Sequence, residues 1–151
     1  MKRIILSLFL ASSVISFASA AELPPLKPQP SPQQVVDEHL DALNECDWNR
    51  LMAQYPPEVR IILPDGEEAV GRKAVGGLFA GFCKSKADGG LKGLKFTTIS
   101  TFTVEGTLNV QWSANAEFLS EPYKGADAYV TKDGFMYAQV TTFDGSKLKF
   151  K

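Results

Sequence analysis

The sequence predicts an α+β domain: helices in the first half, long strands in the second, and a curved antiparallel sheet with the helices on its concave side. Two features of the sequence lead to this. In Val35–Tyr55 and again in Arg72–Lys84, apolar residues recur at helical spacing. From Lys95 onward the period changes to two. It is cleanest in Leu108–Phe118, where Leu108, Val110, Trp112, Ala114, Ala116 and Phe118 alternate with Asn109, Gln111, Ser113, Asn115 and Glu117. That alternation marks a half-buried antiparallel strand.

Taken in order, the chain opens like an export signal. Lys2 and Arg3 precede an apolar run, Ile4–Leu10, that softens to Phe17 and ends at Ala18-Ser19-Ala20. Small residues at that spacing predict cleavage before Ala21 and a periplasmic destination. The run is short for a membrane span, which needs about 20 residues. A mature chain of roughly 130 residues suffices for one domain with one core. Lys and Arg total 16 and Asp and Glu 17. Without Lys2 and Arg3 the balance is 14 against 17, a net charge of −3. That argues against nucleic acids and anionic membrane surfaces as partners, since both require basic patches.

Residues 21–32 are a proline-rich leader, extended and without a helix. The folded domain spans 33–151. Ser31 is placed to cap a first helix with Pro32 at its first position. That helix runs to about Glu45. Asp47 caps a short second helix carrying Trp48, Leu51, Met52 and Tyr55, and Pro56-Pro57 stops it. Val59–Leu63 (VRIIL) is a strand, and Pro64-Asp65-Gly66 a tight turn. The third helix, Arg72–Lys84, shows Ala74, Val75, Leu78, Phe79 and Phe82 on one face. Its Gly76-Gly77 pair either permits close packing or weakens it by about 1 kcal/mol per glycine. Ser85–Gly93 reads as a loop, Lys95–Val104 as a strand, and Leu119–Gly125 as a loop. Ala126–Thr131 and Phe135–Phe143 form the last hairpin.

His39 is the one histidine, set among apolar residues of the first helix. Asp127 falls among sheet residues, where an unpaired charge is costly. Either His39 is a core residue bonded to Asp127 or to backbone, or the two serve a ligand or a reaction. Cys46 and Cys83 lie far apart, on or beside helices. An oxidising compartment favours their pairing, a bridge worth about 3–4 kcal/mol. The alternative is two buried thiols. Two cysteines, one histidine and no CxxC spacing predict no metal site.

Four segments in this order, VVDEHLDALNECDWNRLMAQY, VRIILPDG, GRKAVGGLF and GADAYVTKDGFMYAQ, resemble the nuclear transport factor 2-like superfamily, in its ketosteroid isomerase and SnoaL-like polyketide cyclase branch. The resemblance covers about Val35 to Phe143. It implies a cone-shaped α+β barrel, a strongly bent sheet wrapped around the three helices, with a pocket at the open end. From residue parity and this resemblance together, Tyr55, Leu63, Phe79, Trp112, Tyr129, Gln139, Thr141 and Phe143 line the pocket. In the isomerases of the family a first-helix tyrosine and a late-strand aspartic acid stabilise an oxyanion while a third carboxylate moves a proton. Those positions correspond to His39, Asp127 and Leu63. A leucine accepts no proton, so the standard isomerase mechanism is not expected.

The resulting expectation is an exported domain that binds a small apolar or aromatic molecule, without cofactor. The alternatives are an isomerase, dehydratase or cyclase using His39 and Asp127 as an acid–base pair, or a non-catalytic domain that pairs as a homodimer through the open sheet face. The fold alone does not choose among them.

Overall fold

The computed structural model describes residues 22–151. The expected signal peptide and its cleavage point lie outside the described residues. No helix among the described residues is long and apolar enough to cross a membrane.

Helix α1 (Pro32–Glu45) starts as its sequence requires: Ser31 accepts a hydrogen bond from the Gln34 amide, and Pro32 occupies the first turn. Val35, Val36, Leu40 and Leu43 are buried along one side, with His39 among them. The helix ends at Cys46, whose left-handed backbone (φ 53°) sends its amide back to the Ala42 and Leu43 carbonyls. Asp47 then caps α2 (Trp48–Met52) by accepting from the Arg50 amide. Arg50 grips Glu38 with two hydrogen bonds, of 2.9 and 2.7 Å, tying α2 to α1.

Helix α3 (Gly71–Phe82) buries Val75, Gly76 and Phe79. Gly76 allows close packing: a Cβ there would sit 3.2 Å from the Trp48 ring, and the Trp48 indole donates to the Gly76 carbonyl at 3.0 Å.

Six strands form one curled, unclosed sheet. They are β1 (Arg60–Ile62), β2 (Glu68–Val70), β3 (Lys95–Val104), β4 (Thr107–Asn115), β5 (Tyr123–Lys132) and β6 (Phe135–Thr141), arranged β2-β1-β6-β5-β4-β3. Four ladders are antiparallel; β1 runs parallel to β6, with Ile61 beside Gln139. The register shifts in β3 between Thr98 and Ser100 and in β5 between Val130 and Thr131. Such bulges bend a strand and increase its twist.

Three local expectations are corrected. Strand β2 is new: its three residues carry no alternation and are held by pairing with β1. Strand β4 ends at Asn115, three residues before Phe118. Strand β5 begins at Tyr123, inside the expected loop. Gly125, within the expected loop, stands opposite Trp112 in the ladder. A Cβ at Gly125 would come within 2.4 Å of the Trp112 ring, so the glycine makes room for the indole.

The leader is strapped to the body. The Lys27 amide donates to the Ala53 carbonyl and the Gln29 amide to the Gly134 carbonyl, while Arg72 holds the carbonyls of Pro24 and Met52.

Candidate functional site

The concave face of the sheet and the helices enclose two different environments. At the closed end Leu51, Met52, Tyr55, Val59, Met136 and His39 are fully or almost fully removed from solvent. At the open end is a cavity of about 660 Å³. Its apolar wall comes from Leu40 and Leu43 of α1, Leu78, Phe79 and Phe82 of α3, and Ile61, Leu63, Phe96 and Phe143. Asp127, Tyr129, Gln139 and Thr141 form its polar floor, and Pro64, Asp65 and the segment Asp144–Lys147 also line it. An apolar cavity with a few convergent polar groups is the usual form of a small-molecule site.

The floor is built by strand parity. Asp127 and Tyr129 are two apart on β5, and Gln139 and Thr141 two apart on β6, so all four face inward. Asp127 Oδ2 accepts from the Tyr129 hydroxyl and the Gln139 amide nitrogen, each at 3.0 Å. Its Oδ1 accepts from the Thr142 backbone amide at 3.2 Å. Burial pushes this carboxyl above its ordinary pKa, while Thr141, Trp112, Tyr129 and Gln139 oppose the shift. The Trp112 indole N–H acts from beyond hydrogen-bond geometry and has no partner of its own.

His39 and Asp127 do not form the expected pair. No hydrogen bond joins them among the described residues. His39 Nδ1 is hydrogen-bonded to the Tyr55 hydroxyl at 2.9 Å, and Nε2 has no partner. The ring is caged by Tyr55, Phe79 and Tyr129, with ring centres 6.2, 5.7 and 5.6 Å away. Phe79 and Tyr129 line the cavity and His39 does not. The two aromatic rings therefore wall the imidazole off. Complete burial holds its pKa down at about 4, so it is neutral at pH 7. A neutral, enclosed imidazole is poorly placed for proton exchange with a ligand.

Of the other expected lining residues, Leu63, Phe79, Tyr129, Gln139, Thr141 and Phe143 reach the cavity. Tyr55 and Trp112 do not: both are fully buried behind it. Burial raises the Tyr55 hydroxyl pKa, with a smaller contribution from the charge of Asp127. Sequence reasoning missed Phe96, Asp65 as a lining residue, and the turn Asp144-Gly145-Ser146. The turn had a signal in its residues: Asp144 accepts from the Ser146 amide at 3.0 Å, the common role of aspartate in tight turns. Among the described residues no three His, Cys, Asp or Glu side chains gather as a metal site.

Cys46 and Cys83 are bridged, with Cα atoms 5.4 Å apart. The bridge joins the end of α1 to the end of α3, the two helices that supply one cavity wall.

The family model for the SnoaL-like domain matches residues 36–146, so the chain belongs to the SnoaL-like domain family. Solved structures share the fold at low identity. A nuclear transport factor 2-like protein of unknown function from Cytophaga hutchinsonii is 13% identical, with 80% of this chain and 96% of that one covered and a TM-score of 0.61. A protein from Sinorhizobium meliloti described as a candidate polyketide cyclase is 15% identical over 72% of this chain and 94% of that one, with a TM-score of 0.58. TerC, co-crystallized with polyporic acid, is 12% identical over 76% and 92%, with a TM-score of 0.62. A comparison with curated protein sequences finds no match.

Proposed function

We propose that this protein binds a small, largely apolar or aromatic molecule in the cavity at the open end of its sheet. The supporting observation is the cavity itself: about 660 Å³, walled by leucine and phenylalanine, with its polar groups gathered on one floor. The co-crystal of TerC with polyporic acid is consistent with this fold accommodating an aromatic ligand. The direct test uses Nile red, a neutral apolar dye, with fluorescence as readout. The wild-type chain gives saturable enhancement, and Leu78→Trp, which fills the cavity, abolishes it. No saturable binding by the wild type would overturn the reading.

Two further features of the proposal follow from other surfaces. The convex sheet face exposes Phe102, Val104, Val130 and Val140, each 43–55% accessible, beside Asn109, Gln111 and Ser113. Such a face suits a second copy of the chain. Sedimentation equilibrium then gives a dimer that Val140→Lys converts to monomer; a monomeric wild type at high concentration removes this part. Work outside the cytoplasm is supported by the Cys46–Cys83 bridge, because disulfides persist in oxidising compartments. N-terminal sequencing of the exported protein would begin at Ala21, and retention of Met1 would remove this part.

A further inference from the structure

The floor of the cavity offers acceptors and lacks a cation. Three donors converge on Asp127: the Tyr129 hydroxyl, the Gln139 amide nitrogen and the Thr142 backbone amide. All three donate into the carboxyl group, an arrangement that favours its ionised form and works against the burial that raises its pKa. The side chain is 7% exposed. None of the ion pairs among the described residues includes it. Lys147, on the cavity lining, instead faces Asp144 at 3.5 Å. A buried carboxylate without a counter-ion carries a large desolvation cost, and a ligand cation would offset it.

Gln139 adds an independent observation. Its amide nitrogen is committed to Asp127, since the flipped amide would set oxygen against carboxylate. Its Oε1 is therefore an acceptor, and it has no partner. Gln139 is 6% exposed and lines the cavity. A buried unpaired acceptor is destabilising, and a ligand N–H would satisfy it.

On these two observations, and resting on the pocket reading above, we infer that the ligand is an organic cation: an aromatic or alicyclic body bearing a protonated amine. Its ammonium group sits against Asp127 and Gln139 Oε1, and its apolar body lies against Leu78, Phe79 and Phe143. Asp65, also on the lining, adds negative potential that draws such a cation inward, while Asp144 is offset by Lys147.

The test is isothermal titration of the full, disulfide-bonded chain at pH 7 with three probes of one shape: 2-naphthylmethylamine, 2-naphthylmethanol and 2-naphthoic acid. The amine binds at least tenfold more tightly than the alcohol, and the acid most weakly. In Asp127→Asn the amine loses that advantage, to threefold or less, while the alcohol keeps its affinity. Gln139→Met weakens the amine about fivefold. If Asp127→Asn fails to fold, the wild-type ranking decides. Equal binding of amine and alcohol overturns the cation and leaves the pocket reading intact. Tightest binding by the acid overturns it too, in favour of a protonated, donating Asp127. No binding by any of the three defeats both readings.

Discussion

His39 and Asp127 are both buried polar side chains on the inner surface of the same cone, yet they occupy opposite electrostatic situations. His39 lies at the closed end among aromatic rings, has one hydrogen-bond partner, and is held neutral by burial. Asp127 lies on the floor of the open end, accepts three hydrogen bonds, and borders a cavity. The wall between them is Phe79 and Tyr129. Burial alone thus does not define a site. What separates them is the number of donors around each group and whether space remains beside it.

The largest effect that bears on this contrast comes from the bridge. Cys46 and Cys83 are 37 residues apart, and in the chain-entropy model the cross-link contributes about 4 kcal/mol. A Cys46→Ser, Cys83→Ser double variant loses approximately that in urea denaturation. If the bridge also orders the α1–α3 wall, Nile red affinity falls in the variant while the His39–Tyr55 contact at the other end survives.

The next effect is in pH. The His39 pKa is lowered from 6.5 to about 4. The unfolded chain therefore takes up a proton as pH falls through 6.5, and the folded chain does not until about 4. The stability loss attached to this residue begins near pH 6.5 and is complete by about pH 4, a total of about 3 kcal/mol. Asp127 has the opposite sign. Its raised pKa means that its burial cost is relieved as acid protonates it. The difference between wild type and His39→Leu isolates the histidine. That difference changes steadily between pH 6.5 and 4 and is flat above 7. A difference independent of pH would show that His39 reaches solvent.

Tyr55→Phe removes the partner of His39 Nδ1 and costs about 1–3 kcal/mol, with no change in ligand affinity, because Tyr55 lies outside the cavity. Smallest is Leu78→Trp, which shifts stability by no more than about 1–2 kcal/mol at a half-buried position while abolishing binding. Loss of binding in Tyr55→Phe with folding intact would erase the boundary between the two ends.

Much of the fold was legible from residue type and period. Ser31-Pro32 and Asp47 announced the helix starts, and Leu108–Ala114 announced its strand, because caps and two-residue alternation are local properties. The pairing of Cys46 with Cys83 followed from a count of two and from the oxidising compartment that the N-terminal residues led one to expect. Strand β2 was not legible: Glu68 and Val70 are exposed, and the strand exists because β1 offers an edge. Gly125 misled because a glycine that admits the Trp112 ring looks, in sequence, like one that turns the chain. His39 and Asp127 were correctly assigned to the interior and wrongly joined. Periodicity gives the face a side chain occupies, but not its depth along the cone axis.

The parallel pairing of β1 with β6 sets the order in which the molecule can be completed during synthesis. On one side Ile61 pairs with Ala69 of the nearby β2, but on the other its neighbour is Gln139, 78 positions later, so β1 leaves the ribosome long before its parallel partner exists. The cavity draws on Ile61 and Leu63 from one end of this interval and on Gln139, Thr141 and the segment 143–147 from the other. A nascent chain halted before Phe135 can carry α1, α2 and the Cys46–Cys83 pair, yet it lacks Gln139 and Thr141, the half of the pocket floor that β6 supplies. Pairings this distant slow folding, and here they make the complete cavity a property only of the finished chain.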